Sequence, residues 1–403
     1  MALLRGLRVA DFTWAWAGPT LTLLLSDWGA EVIKIESSHR VDIERRLAPF
    51  PNGLLDINRS GRFWGLNRGK LGCTVNLATL QGRELAKKIV LKSDVVVENF
   101  SPGVMARLGL DYGSFRSLKP DLVYVSLSGF GNSGPQSGRA AYGAHLAYES
   151  GFFKLTGTGE GTDGVGIQVP YADPAAGTAG CAAVLAALRY RSRTGVGQYI
   201  DVAQLDTLVS LMPTSVVASQ VLPAWCRQRG NEHEGLAPHG CYPCQGQDEW
   251  IAIAVQTDEQ WQALAAALDA PELADHADFA TAAQRWANRK ALDALLALRT
   301  RDKNRWQLAG ALQRAGVPAT GVYTSADLLH DKHLRERSFF ADMAFSPAVA
   351  QISVPGMPAH VDGEAAKSLP APDLGQHNEY VFRELLGLSE QEIYLLSDAG
   401  GIE

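Results

Sequence analysis

Between residues 7 and 128 the chain alternates short apolar runs with amphipathic stretches, and that rhythm restricts the fold more than any other feature. LRVADFT (7–13) reads as a buried strand, residues 18–28 as a helix and EVIKIE (31–36) as a second strand. GCTVNL (72–77), LQGRELAKKIVLKS (80–93) and DVVVENF (94–100) repeat strand, helix and strand, and two short helices (103–110 and 112–118) lead to DLVYVSLS (121–128). Val/Ile/Leu runs of this length suit strands buried on both faces, and the helices between them supply the crossovers that parallel pairing requires. The expected fold class is α/β, built on a mainly parallel sheet covered on both sides.

A span of loops, roughly 129–170, precedes an Ala-rich helix from Pro174 to about Tyr190, and YIDVAQLDTLVSLM (199–212) runs from strand into helix. After about residue 215 the pattern changes. GCYPCQGQDEWIAIAV (240–255) reads as a hairpin turning at Gln245–Asp248, followed by helices over 257–268 and 281–298, which indicates a smaller α+β domain. A helix at 302–315, a strand near 318–323, a helix at 325–336, a strand pair (FFADMAFS and AQISVP) and two helices joined at Gly387 complete the chain. The domain expectation is 1–215, 216–324 as the small domain with its linkers, and 325–403.

With 403 residues, 46% hydrophobic and 20% charged, the composition is that of a soluble globular protein. A net charge of −6 argues against nucleic acid as the main partner. Met1–Gly6 has no signal-peptide architecture, and no apolar run approaches the ~20 residues of a membrane span, so a cytoplasmic protein without membrane association is expected. The five cysteines (Cys73, Cys181, Cys226, Cys241 and Cys244) suit free thiols in a reducing compartment. Cys241 and Cys244 form a CxxC with no second pair and no histidine at ligand spacing, so no metal site is expected.

Chemistry concentrates at Asp173. An extended run, Gly166–Tyr171, leads into Asp173-Pro174, the cap and first position expected of a helix start. The bland reading is a cap. Two features favour a functional one. Ala175-Ala176-Gly177-Thr178-Ala179-Gly180 carries almost no side chain, so another backbone or a ligand can come close. A carboxylate at a helix N-terminus is also expected to be held ionised by the dipole.

Gly129-Phe130-Gly131-Asn132-Ser133-Gly134 matches the dinucleotide pattern GxGxxG, but Pro135 follows and no helix opens there, so nicotinamide or flavin chemistry is not supported. Asn67-Arg68-Gly69-Lys70 before one strand, and Asn99-Phe100 with Arg107 after another, put amide, aromatic and basic groups near strand ends, where α/β folds bind ligands. Ordinary solvated charge is the alternative. Thr13-Trp14-Ala15-Trp16-Ala17-Gly18-Pro19 follows the first strand, and its two indoles either wall an apolar pocket or join the core. His239, in a Pro-His-Gly turn, is the most suggestive histidine, and surface placement is its alternative. The GxSxG elbow of serine hydrolases is absent.

These blocks together resemble the class III CoA-transferases, the family of formyl-CoA transferase and carnitine CoA-transferase. The similarity spans essentially the whole chain and rests on VADFTWAWAGP…LLSDWGAEVIKIE, LNRGK, DVVVENFSPGVMARLGL, VSLSGFGNSGP, the ADPAAG junction, RTGVGQYIDVAQLD and APHGCYPC, in that order. The TW-W-AGP turn and the APHG-YPC block are most similar to the branch around succinyl-CoA:benzylsuccinate CoA-transferase. The resemblance implies a Rossmann-like large domain built from both chain ends, a small inserted domain and an interlocked dimer, homomeric or with a related subunit. It implies Asp173 as the nucleophile, and coenzyme A along Ala15, Trp16 and Ala17, Asn67, Arg68 and Lys70, and Asn99 and Phe100, with Arg107 at its phosphates or ribose. Trp14, Tyr142 and His239 are the expected substrate-pocket residues. CoA is then a substrate, exchanged between an acyl-CoA donor and a carboxylic acid acceptor, with no tightly bound cofactor.

The implied chemistry runs through an aspartyl anhydride and an aspartyl-CoA thioester. Trp16 stands where formyl-CoA transferase has Gln, Ser37 replaces a basic residue often found after the second strand, and GNEHEGLAPHG (230–240) lacks a glycine run. These departures point away from formate and oxalate toward a larger or partly apolar acid. The rival within the fold is an α-methylacyl-CoA racemase, whose His and Asp would align with Tyr142 and Gly143, and a tyrosine is a poor base at neutral pH. A non-catalytic partner subunit is the rival of another class, and retention of Asp173 speaks against it.

Overall fold

The computed structural model of the chain describes residues 2–157, 169–222, 228–344 and 351–403. Cys226, residues 166–168 of the extended run expected before Asp173, and residues 345–350 within the expected strand pair lie outside them.

The alternating apolar runs form β1 (Arg8–Asp11), β2 (Glu31–Glu36), β3 (Leu71–Thr74), β4 (Val95–Glu98), β5 (Val123–Ser128) and β6 (Tyr199–Ala203). All five pairings are parallel, in the order β3-β2-β1-β4-β5-β6. This is the doubly wound order, in which the chain reverses direction across the sheet between β1 and β4. The helices are α1 (Ala17–Asp27), α2 (Gly61–Asn67), α3 (Leu80–Leu91), α4 (Val104–Leu108), α5 (Tyr112–Phe115), α6 (Gly143–Glu149), α7 (Phe152–Leu155), α8 (Ala172–Thr194), α9 (Gln204–Ser210) and α10 (Pro213–Val221).

Alternate strand residues serve opposite faces, so each strand feeds two cores. Ile35, Val96 and Tyr124 pack under Leu85 and Ile89 of α3, Met105 of α4 and Phe115 of α5. Val9, Val32, Val97 and Val125 pack under Leu21 and Leu25 of α1 and Val184 and Ala187 of α8. The end of the chain returns to the first core through Val381, Phe382 and Ile402. Ile402 bridges Val75 just beyond β3, and the Thr74 hydroxyl donates to the Glu403 carbonyl at 2.5 Å.

Two compact units result. One holds residues up to 152, 169–221 and those from 332 onward; the other holds 153–157, 222 and 228–331. The sequence reading puts the corresponding changes at 216 and 325. In the second unit, β7 (His239–Pro243), β8 (Trp250–Ala254) and β9 (Ala319–Gly321) form an antiparallel sheet. Ile251 and Ile253 pack against Trp261 and Leu264 of α11 (Asp258–Ala267), and Leu292 and Leu312 join the same core. The single helix expected over 281–298 is two, α12 (Ala282–Ala287) and α13 (Arg289–Thr300), separated at Asn288. No described helix is long and apolar enough to cross a membrane.

Candidate active site

Where β1 and β4 part, their carboxyl ends release two loops into the same crevice. The loops are clasped. The Trp14 amide donates to Asn99 Oδ1 at 2.8 Å, and Asn99 Nδ2 donates back to the Trp14 carbonyl at 2.8 Å. Phe100 meets the Trp14 indole edge-on at 5.8 Å. Ala15 takes the left-handed conformation (φ 61°), a costly one for a residue with a Cβ, while its amide donates to Asp42 Oδ1 at 3.0 Å. Asp42 is fully buried, and its other oxygen accepts from Lys34 Nζ at 2.8 Å, which also donates to the Thr13 carbonyl. The turn's shape therefore rests on a buried ion pair beneath it.

The clasp forms one wall of a cavity of about 470 Å³ at the carboxyl ends of β1–β4. Trp14, Phe100 and Leu108 give it apolar sides, and His39, Arg40 and Asn76 a polar rim. Arg40 lies 5.3 Å from the Trp14 ring centroid. Arg107, on α4 beside this wall, is exposed and has no acidic partner among the described residues. Trp14, expected in the substrate pocket, lines this cavity, where its indole packs against Phe100.

Three residues expected along CoA are engaged within the fold. Asn67, Arg68 and Lys70 are buried, and their polar groups are already used. Lys70 Nζ stands 3.1 Å from Asp11 Oδ2 and donates to Asn67 Oδ1 at 2.8 Å. Arg68 Nη2 pairs with Asp27 Oδ2 at 2.5 Å. Burial brings the Lys70 ammonium down to about 8, with Lys34 repelling it and Asp11 opposing the fall. These residues fasten α2 and β3 to α1 and offer no free charge to a phosphate.

Asp173 is the second residue of α8, not its cap. Tyr171 occupies the cap position without a side-chain bond. Nor is the carboxyl held ionised. Burial, with the negative charge of Glu44 adding to it, pushes Asp173 up to about 7. Among the described residues no donor reaches its oxygens. Gly143, at the start of α6, lies against it, and a Cβ at 143 would overlap Asp173 Oδ2. The aspartate that a racemase would carry at this position cannot stand there with Asp173 so placed.

The bare stripe of α8 serves packing. A Cβ on Gly177 would come within 2.6 Å of the Ala17 carbonyl, and one on Gly180 within 2.6 Å of Leu21 Cδ1. The close approach expected on this stripe is made by α1, not by a ligand, and it sets the Trp16–Ala17 turn beside the turn carrying Asp173. Trp16 is half-buried there, with the Arg62 guanidinium 5.7 Å from its ring, and Arg62 pairs with Glu44 at 2.6 Å.

Tyr142 precedes Gly143 but is exposed, its ring 6.3 Å from that of His145. His239 belongs to the second unit, where its Nδ1 sits 2.5 Å from the Asn231 carbonyl and it lines a cleft of about 620 Å³ over β7–β9. Lys34, Asp42, Glu44 and Arg62 escape the sequence reading, and Gly143 enters it only as the position of a racemase aspartate. Only Lys34 leaves a signal, a charge inside the otherwise apolar strand EVIKIE.

Residues 4–378 match the model of CoA-transferase family III. The chain is 32% identical over 381 residues to succinyl-CoA:mesaconate CoA-transferase of Haloarcula marismortui, covering 92% of each protein. It is 31% identical to succinyl-CoA:glutarate CoA-transferase of Mus musculus, over all of this chain and 91% of that one. Against a probable CoA-transferase of Mycobacterium tuberculosis it is 32% identical over 96% of its own length and spans 49% of that relative. The crystal structure of a CaiB/BaiF family protein from Brucella suis superposes with a TM-score of 0.87 at 33% identity, covering 95% of this chain and 99% of the other.

Proposed function

The chain belongs to CoA-transferase family III, and from that membership we propose that Asp173 carries the acyl group and then CoA between two carboxylic acids. The observation that carries this reading is the half-buried Asp173 carboxyl, raised to about 7, with no hydrogen-bond donor on it among the described residues and Gly143 lying against it.

The Asp173 carboxylate attacks the thioester carbonyl of the donor. The C–S bond breaks, CoA leaves as thiolate, and a mixed anhydride forms. The thiolate returns to the Asp173 carbonyl, releasing the donor acid and leaving an aspartyl-CoA thioester. The acceptor carboxylate attacks that thioester, expelling thiolate and forming a second anhydride. Thiolate attack on the acceptor carbonyl then yields the new acyl-CoA and restores Asp173. No proton is consumed, so the site needs no general acid. A poorly solvated carboxylate is the more nucleophilic once ionised, which suits the raised position of Asp173.

CoA occupies the cavity walled by Trp14 and Phe100, with Arg40 and Arg107, which have no acidic partner among the described residues, as the cations for its phosphates. The acid's body lies on Trp16, consistent with a larger or partly apolar acid than formate. Relatives named for succinyl-CoA with mesaconate or glutarate support short dicarboxylic acids among the candidates. The experiment is mass spectrometry after incubation with a panel of acyl-CoAs and quenching with hydroxylamine. A hydroxamate confined to Asp173 is expected with the true donor. No adduct with any donor, or an adduct elsewhere, overturns the reading.

A further inference from the structure

Arg62 lies at the opening of α2, where the Ser60 hydroxyl accepts the Phe63 amide and starts the helix. Its guanidinium is held on one side only. Nε donates to Glu44 Oε2 at 2.6 Å and Nη2 to Glu44 Oε1 at 3.3 Å, while Nη1 has no partner among the described residues. Glu44 is buried, with 4% of its side chain exposed, whereas 39% of the Arg62 side chain is open. A two-point pair of this kind fixes the plane of the fork, so the free edge points in one direction. The guanidinium carbon lies 5.7 Å from the Trp16 ring centroid, and Glu44 is the charged group whose field reaches Asp173.

The other basic side chains underlying the crevice are consumed. Lys34, Lys70, Arg45 and Arg68 all sit in buried pairs, with Asp42, Asp11, Glu36 and Asp27 respectively. Arg40 belongs to the cavity on Trp14. Among the described residues, Arg62 is the cation beside Trp16 that keeps an unpaired guanidinium nitrogen.

We infer that Arg62 is a specificity-determining residue: its open edge receives the distal carboxylate of a dicarboxylic acyl group whose reacting carbonyl is at Asp173. This rests on the reading of Asp173 as the group that carries the acyl chain. Glu44 acts with it as a positioning residue, holding the guanidinium in plane. An acyl chain ending in a methyl would leave the open edge unpaired against Trp16, and sites built around a substrate's polar group discriminate strongly against analogues that lack it.

The test compares kcat/KM for succinyl- and glutaryl-CoA with that for butyryl- and pentanoyl-CoA, in which a methyl replaces the distal carboxylate. The native enzyme is expected to prefer the dicarboxylic donors. Arg62→Met is expected to cut that preference by roughly 100-fold, on the scale of a lost charged hydrogen bond, and Arg62→Lys by less. Arg46→Ala, which removes an exposed charge from the turn that carries Glu44, is expected to keep the preference. Parallel losses on both donor sets with the ratio preserved would mark Arg62 as structural and sink the inference, as would a native enzyme indifferent to the distal group or a preference lost in Arg46→Ala instead. Failure of the underlying reading shows separately, as no hydroxamate at Asp173 in the native enzyme with either donor set.

Discussion

Asp173 ties reactivity to pH with a definite sign. Its carboxyl is raised from 3.8 to about 7 by burial and by Glu44. Below 3.8 folded and unfolded chains both hold the proton. Between 3.8 and about 7 only the folded chain holds it, so this group's contribution to stability declines as pH rises through that window and is gone above it. In the proposed mechanism the carboxylate attacks, so kcat/KM should climb about tenfold per pH unit below the inflection and level off above it, with the inflection near 7. Asp173→Asn should abolish transfer while raising the melting temperature at pH 8 and leaving it unchanged at pH 3.5. A flat rate profile from pH 5 to 8, or a variant no more stable than the native chain at pH 8, would contradict this assignment.

At the scale of elements, two helices locate Asp173, the proposed nucleophile, where the glycines of α8 meet α1. Gly177 lets α8 lie against the Ala17 carbonyl of α1, and α1 in turn carries the Trp14–Ala17 turn. Gly177→Val should cost about 1–3 kcal/mol of stability, as overpacked contacts do, and should lower kcat because the wedge moves Asp173 away from that turn. Urea unfolding midpoints and initial rates check both effects, and a variant with native stability and rate would show that the helices slide freely. The strands β2, β4 and β5 were legible because near-complete burial makes their runs mostly apolar, with β-branched residues prominent. The helices α2 and α6 were not, since GRFWGLN and GAHLAYE mix small, polar and aromatic residues without a clear stripe. Nor was the fate of Arg68 and Lys70. Charge is visible in a sequence, but the carboxylates that absorb it, Asp27 and Asp11, sit far back along the chain, on α1 and at the end of β1.

For the whole molecule, residues distant in sequence complete the cavity proposed for CoA. The Asn76 amide donates to the Gly401 carbonyl at 3.1 Å, and the Ser38 amide donates to the Glu403 carboxylate at 2.5 Å, so the closing segment ties together two loops that line the cavity. Deleting residues 401–403 should weaken CoA binding by roughly tenfold, the scale of one or two lost hydrogen bonds, and titration calorimetry with CoA measures it. Unchanged affinity would mean that the loops hold their shape unaided. The same closure bears on how the protein is made. The six sheet strands leave the ribosome well before Ile402 can reach Val75, whereas β7–β9 and their helices are contiguous in the chain. Closing so long a loop is slow compared with local pairing, so the smaller unit is finished first and the cavity wall last. Until translation passes residue 402, the nascent chain carries Asp173 without the completed cavity proposed for CoA.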